Sequence, residues 1–185
     1  MRKFTLSIAA AAFALSAAAT FAYAENPMVG GAAMYADKNI VENAVNSKDH
    51  TTLVAAVKAA GLVETLQGAG PFTVLAPVNA AFDALPAGTV DTLLKPESKE
   101  TLTKVLTCHV IPAKAMSGDI MKMVKDDGGM HKVKTVGGCE LVLKDEGGKV
   151  TVTDENGNVA TVTIADVEQS NGVIHVIDKV LLPKM

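Results

Sequence analysis

The chain has 185 residues, with 17 basic and 20 acidic side chains, a formal net charge of −3 and 49% hydrophobic residues. That length suits one domain with a full core. The acidic balance argues against a nucleic-acid partner, whose phosphates demand a basic patch.

Arg2 and Lys3 form a basic start, Phe4 to Phe21 is Ala-rich and apolar, and Ala22-Tyr23-Ala24 has the small-x-small pattern of a signal-peptidase site. Residues 1–24 are therefore expected to be a secretory signal peptide. The apolar stretch is short and alanine-rich for a membrane anchor, and no lipobox cysteine accompanies it. Removing 24 of the 185 residues leaves 161, and loss of Arg2 and Lys3 takes the charge from −3 to −5. No later segment is long and apolar enough to span a bilayer. The expected product is secreted, periplasmic or extracellular.

Residues 25–36, "ENPMVGGAAMYA", are small, Gly-containing and aperiodic, which predicts a flexible lead-in to a domain over 37–185. "NIVENAV" puts Ile40, Val41, Ala44 and Val45 on one helical face. Asp49 suits the N-cap of "HTTLVAAVKAAG", with Leu53, Val54 and Val57 as its stripe and Gly61 as its stop. Leu62, Val63 and Leu66 continue as a short amphipathic turn. "GPFTVLAP" predicts a strand from Phe72 to Ala76, and Asn79 suits the cap of "AAFDAL". "TVDTLLK" is a further helical turn. Pro96 suits the start of a helix with Leu102, Val105 and Leu106 on one side, and His109 extends that stripe by a turn. Beyond "HVIPAKAMSGDIMKMV" the period changes. "HKVKTV", "ELVLK", "KVTVTD" and "VATVTIADV" alternate or run β-branched between glycine pairs, and Asn156-Gly157 is a hairpin signal. Helices followed by strands, with one early strand, give an α+β domain with a mixed or antiparallel sheet.

Cys108 and Cys139 are the two cysteines. In an oxidising compartment a disulfide is expected, a free thiol pair or a thiolate metal ligand being the alternatives. Closing a loop of about 31 residues contributes roughly 3.5 kcal/mol in the chain-entropy model.

His109 and His175 sit in apolar company. In an extended strand His175 and Asp178 fall on opposite faces, which disfavours a local acid–base pair. An imidazole that donates one hydrogen bond and accepts another is buried neutral at little cost, so both read as core histidines. Catalysis needs a nucleophile within reach of a base. The chain has no Gly-x-Ser-x-Gly elbow, no Gly-rich phosphate loop and no His-Glu-x-x-His helix. Ser117 and Ser170 read as a helix cap and a turn residue. No enzymatic activity, cofactor or resident metal is expected. A copper site is the metal alternative, because Met121, Met123, Met130 and His131 offer soft thioethers with an imidazole; against it, Ile120, Met121 and Val124 form an ordinary helical stripe and methionine often fills cores.

Three segments, "GPFTVLAPVNAAFDALPAGTV", "LTKVLTCHVIP" and "NGVIHVIDKVLLP", together resemble the signature blocks of the fasciclin (FAS1) domain, in order and spacing over about residues 37–183. The resemblance implies a helical layer packed on a β-wedge. It implies that Thr73, Asn79, His109, His175 and Asp178 take the family's polar core positions. It also implies a secreted, non-catalytic role in cell adhesion or surface and matrix contact, with a protein or polysaccharide partner. The family's integrin-contact segments map here to Cys108-His109 and Asp166-Val167, making His109, Asp166 and Val167 the candidate adhesion residues. Cysteine stands at 108 where tyrosine is usual, and Ala113 where glycine is common. A Cys108–Cys139 bridge is then expected to staple the helix-to-strand corner to the hairpin strand. The competing readings are a periplasmic small-ligand or copper-binding protein on the same scaffold, and an exported hydrolase.

Overall fold

At the centre of the fold two parallel strands about a hundred residues apart in the sequence lie side by side. They are β3 (Phe72–Pro77) and β9 (Gly172–Ile177), with Phe72 opposite Gly172 and Pro77 opposite Ile177. This computed structural model describes residues 26–184, so the expected signal segment 1–24 lies outside the described residues. Around the central pair the sheet runs in the order β4-β3-β9-β8-β7-β6-β5, every other pairing being antiparallel. Its remaining strands are β4 (Val110–Ile111), β5 (His131–Lys134), β6 (Glu140–Asp145), β7 (Val150–Thr153) and β8 (Val159–Gln169). The helices are α1 (Ile40–Ala44), α2 (Thr51–Ala60), α3 (Val63–Gln67), α4 (Asn79–Asp83), α5 (Thr89–Leu93), α6 (Lys99–Thr107) and α7 (Ser117–Asp126). The domain is α+β, as its sequence periods predict.

Alternation along β3 and β9 divides the core. Val74, Ala76, Ile174 and Val176 face one way, into an apolar cluster with Leu53, Ala56, Leu102 and Val105 of α2 and α6. Leu75 and Ile177 face the other way, into a second cluster with Ile120 and Val124 of α7 and Leu141, Leu143 and Val152 of the hairpins. Burial on both faces explains why the last strand reads as a continuous β-branched run. The first cluster is the helical layer on the sheet, and the second fills the wedge.

Gly172 is required by the closeness of the central strands. A Cβ there would lie 2.0 Å from the Phe72 carbonyl oxygen, a backbone atom that cannot swing aside. Gly172→Ala is expected to cost about 3 kcal/mol or more through this overpacking. Denaturant unfolding checks it, and an unchanged midpoint would contradict the pairing of Phe72 with Gly172.

Residues 28–33 depart from the sequence expectation. The segment expected as a flexible lead-in forms a small hairpin, β1 (Met28–Val29) with β2 (Ala32–Ala33), and buries Val29 and Met34 in the helical cluster. Asn43 fastens it, accepting from the Tyr35 N–H at 3.0 Å and donating to the Tyr35 carbonyl at 2.7 Å and to Gln169 Oε1. Asn43 is thus a buried residue of α1, while Val45, expected on the apolar face, is 48% exposed. A five-residue helix turns too little for its apolar period to decide which face packs.

Capping also differs. Asn79 does not cap α4; its Oδ1 accepts from the Thr52 N–H at 3.0 Å and its Nδ2 donates to the Lys48 carbonyl at 2.8 Å. It therefore satisfies an orphan donor in the first turn of α2, a role expected of Asp49. Asp49 lies in a short 3₁₀ turn, Lys48–His50.

Candidate functional site

Thr73, His109 and His175 lie on or beside the central strands. His109 closely follows α6. Its Nδ1 lies 2.8 Å from the Val105 carbonyl, one helical turn back, and its Nε2 lies 2.9 Å from the Leu181 N–H. A carbonyl requires a donor and an N–H requires an acceptor, so the ring is neutral with its proton on Nδ1. Burial drives its pKa down to about 4, against the smaller raising effects of the Val105 bond and of Asp154. His109 thus ties α6 to the C-terminal strap that follows β9.

His175 is built on the opposite tautomer. Its Nε2 donates to the Ala115 carbonyl at 2.8 Å, and its Nδ1 accepts from the Asp166 N–H at 3.2 Å. Its pKa too is lowered, chiefly by burial. Thr73, on the neighbouring strand β3, donates to the Ala113 carbonyl and accepts from the Ala115 N–H at 2.9 Å. The two side chains hold the loop from 112 to 116 against the sheet.

Asp178 lies elsewhere. It is exposed, and its carboxylate accepts from the Thr161 N–H at 2.7 Å, closing the β8–β9 ladder. Of the five residues assigned to a polar core, Thr73, His109 and His175 are buried, Asn79 is half-buried and Asp178 is at the surface. Strand alternation ends at Ile177, and Asp178 begins the exit.

Ser117, Asp166 and His175 are the residue types of a hydrolytic triad, and they do meet. The Ser117 hydroxyl donates to Asp166 Oδ2, and the Ser117 N–H donates to Asp166 Oδ1 at 2.6 Å. The imidazole, however, takes the Asp166 backbone N–H and bonds neither hydroxyl nor carboxylate. A serine is activated when its hydroxyl points at a base; here it points at a carboxylate that fixes the start of α7. Asp166 has φ 59°, the one positive value outside glycine among the described residues, and β8 shifts register between Ile164 and Val167. That bulge aims the carboxylate at a helix N-terminus, where the dipole favours an anion. Asp166→Ala is expected to cost about 2 kcal/mol and Asp166→Asn less than half of that, read from urea midpoints. Equal losses would show that the carboxylate does not act as a cap.

The candidate adhesion residues occupy different settings. His109 and Val167 are 2% and 0% exposed, whereas Asp166 is half-buried with its carboxylate bonded to Ser117. Met121 and Met123 pack against the wedge cluster, Met130 is half-exposed, and His131 Nδ1 pairs with Asp127 Oδ2 at 2.5 Å. Among the described residues no group of three or more His, Cys, Asp or Glu side chains is placed to hold a metal. Cys108 and Cys139 form a disulfide with Cα atoms 5.4 Å apart, joining the end of α6 to the β5–β6 turn.

Two further buried polar residues, His50 and Asn171, are not singled out by the sequence. His50 meets Ser47 Oγ at 2.9 Å through Nδ1, its Nε2 has no hydrogen-bond partner among the described residues, and burial lowers its pKa. Asn171 accepts from the Ile40 N–H and donates to the Leu66 and Gly68 carbonyls, joining α1, the end of α3 and the start of β9. The one signal for Asn171 is its place before a glycine at a strand start.

The Fasciclin domain family model matches residues 48–183. A Synechocystis protein named sll1483 is 47% identical over 161 residues, covering 87% of this chain and 82% of its own. The cell surface glycolipoprotein MPB83 of Mycobacterium bovis is 34% identical over 166 residues, covering 86% of this chain and 68% of its own. The transforming growth factor-beta-induced protein ig-h3 of Sus scrofa is 40% identical over 131 residues, which are 71% of this chain and 17% of that protein. In three dimensions the fold is similar to a solved FAS1 domain pair from the insect cell adhesion molecule fasciclin I, with TM-score 0.70 at 18% identity over 78% of this chain and 51% of that one. With the signature blocks forming β3, the α6–β4 corner and β9 at the centre of such a fold, the chain belongs to the fasciclin family.

Proposed function

We propose that this chain is an exported, non-catalytic fasciclin module that makes contact at a cell surface or matrix, with a protein or polysaccharide as its partner. The observation that carries the reading is the use of the reactive side chains: His109, His175, Ser117 and Asp166 are all engaged in holding loops and helix ends. A domain whose titratable interior is structural acts through its surface. The cell-surface relative in Mycobacterium bovis supports the same assignment. Export is supported by the basic, apolar and small-residue pattern of residues 1–24, and among the described residues no helix is long and apolar enough to cross a membrane.

Two measurements test this. Cell fractionation is expected to place the protein outside the cytosol, and deleting residues 2–24 to retain it inside; no difference between the two would remove the export claim. Beads carrying the folded protein are expected to retain cells or envelope polysaccharide better than beads carrying the reduced, unfolded chain. Equal retention would remove the contact role.

A further inference from the structure

The helical layer contains a cavity that the adhesion reading does not use. It lies between α1, α2, α3, α6 and β3, is partly open to solvent, and has about 60 Å³ of room for a water-sized guest. Its inner wall includes Ala44, Leu53, Val57, Leu66 and Val74. A smaller apolar cavity of about 30 Å³ adjoins it, sharing Ile40, Ala44, Leu53 and Val74. Voids larger than one water are few in a packed domain, and apolar ones stay dry and take up apolar guests.

The mouth has a different chemistry. Lys58 and Thr65 are exposed at the rim, and Thr107 belongs both to the cavity and to an open cleft bounded by Lys99, Glu100, Lys104 and Gly137. Lys99 Nζ lies 3.6 Å from where a Cβ on Gly61 would sit, at the same end of α2 as Lys58. None of Lys58, Lys99 and Lys104 forms an ion pair among the described residues. Lys104 lies within electrostatic reach of Glu155 and donates to the Lys184 carbonyl, which leaves Lys58 and Lys99 as the cations of this rim, beside Glu100. An oily slot with a cationic rim complements one kind of small molecule.

We propose that this cavity binds a single-chain acidic amphiphile, a fatty-acid-like molecule whose hydrocarbon tail enters between α1, α2 and β3 and whose anionic head rests on Lys58 and Lys99. The inference is independent of adhesion, since the cavity lies inside the helical layer and needs no macromolecular partner to fill it.

Titration of the delipidated protein with decanoate, followed by amide chemical shifts, tests it. Saturable shifts are expected around Ala44, Val57 and Leu66. Ala44→Leu, which fills the slot, is expected to weaken decanoate binding at least about tenfold. Lys58→Gln with Lys99→Gln is expected to weaken decanoate in the same way while leaving decanol unchanged. No saturable binding up to about 1 mM would overturn the proposal. So would decanoate binding that Ala44→Leu leaves intact, or lysine variants that affect decanol and decanoate alike. Should Ala44→Leu fail to fold, Val63→Phe in the cavity lining fills the same space, and undiminished binding by that variant is equally fatal to the idea.

Discussion

Unfolding free energy measured from pH 7 downwards is expected to fall between about pH 6.5 and pH 4, with His109 alone removing roughly 3 kcal/mol. The sign follows from proton counting. In the unfolded chain the imidazole titrates near its ordinary 6.5, whereas in the folded domain burial holds it at about 4. Between those values the unfolded state binds a proton that the native state refuses, so acid favours unfolding. Above pH 6.5 both states are neutral, and His109 then makes no further difference. His175 and His50 are lowered in the same direction and steepen the same descent. Protonation has a defined structural cost at His109, because Nε2 accepts from the Leu181 N–H and a charged ring would set donor against donor. His109→Gln is expected to flatten the pH slope by one proton, whatever it does to stability at neutral pH. Stability that stays level from pH 7 to pH 4.5 would contradict the buried, neutral assignment.

Removal of the disulfide is expected to cost about 3.5 kcal/mol, measured as the denaturation difference between the wild type and a Cys108→Ala, Cys139→Ala double variant. The bridge closes a loop of 31 residues that contains all of α7 and β5. Its anchors have few other links. The Gly137 N–H donates to the Thr107 carbonyl at 3.0 Å and the Val136 N–H to the Val110 carbonyl at 2.8 Å, and these bonds dock the β5–β6 turn on the α6–β4 corner. Without the sulfur link the same contacts must form against the freedom of the open loop. A loss under about 1 kcal/mol would mean that the docking contacts suffice and that the unfolded chain gains little from being opened.

The strands and longer helices are legible in the sequence because their side chains repeat locally. The runs at β6, β7 and β8 announce a period of two, and α2 and α6 a stripe of helical spacing. The family blocks add the wiring between distant parts. The buried amides are not legible. Asn43 meets Gln169 and Asn171 meets Ile40, each across more than a hundred residues. Nothing near Asn43 in sequence distinguishes it from a surface residue, and the glycine after Asn171 marks a strand start without naming the partners of the amide. The same holds for Asn79, which reads as the cap of its own helix although its partners belong to α2 and the turn before it. The bulge at Asp166 is hidden for a related reason: it is set by where α7 begins, and no neighbouring residue encodes that. Local rules recover elements, and long-range polar contacts decide how those elements are clamped.

The parallel pairing of β3 with β9 has a kinetic consequence. Phe72 waits for Gly172, and in a chain made from the N-terminus nearly all of the domain is synthesised before its middle can close. Closing so long a loop before any central contact repays the lost freedom places this topology among slow folders. A nascent chain lacking its last strand has an unfinished sheet and helices with no surface to cover. It therefore stays open until synthesis is nearly finished, a property that would suit the proposed export, in which a chain crosses a membrane before it folds.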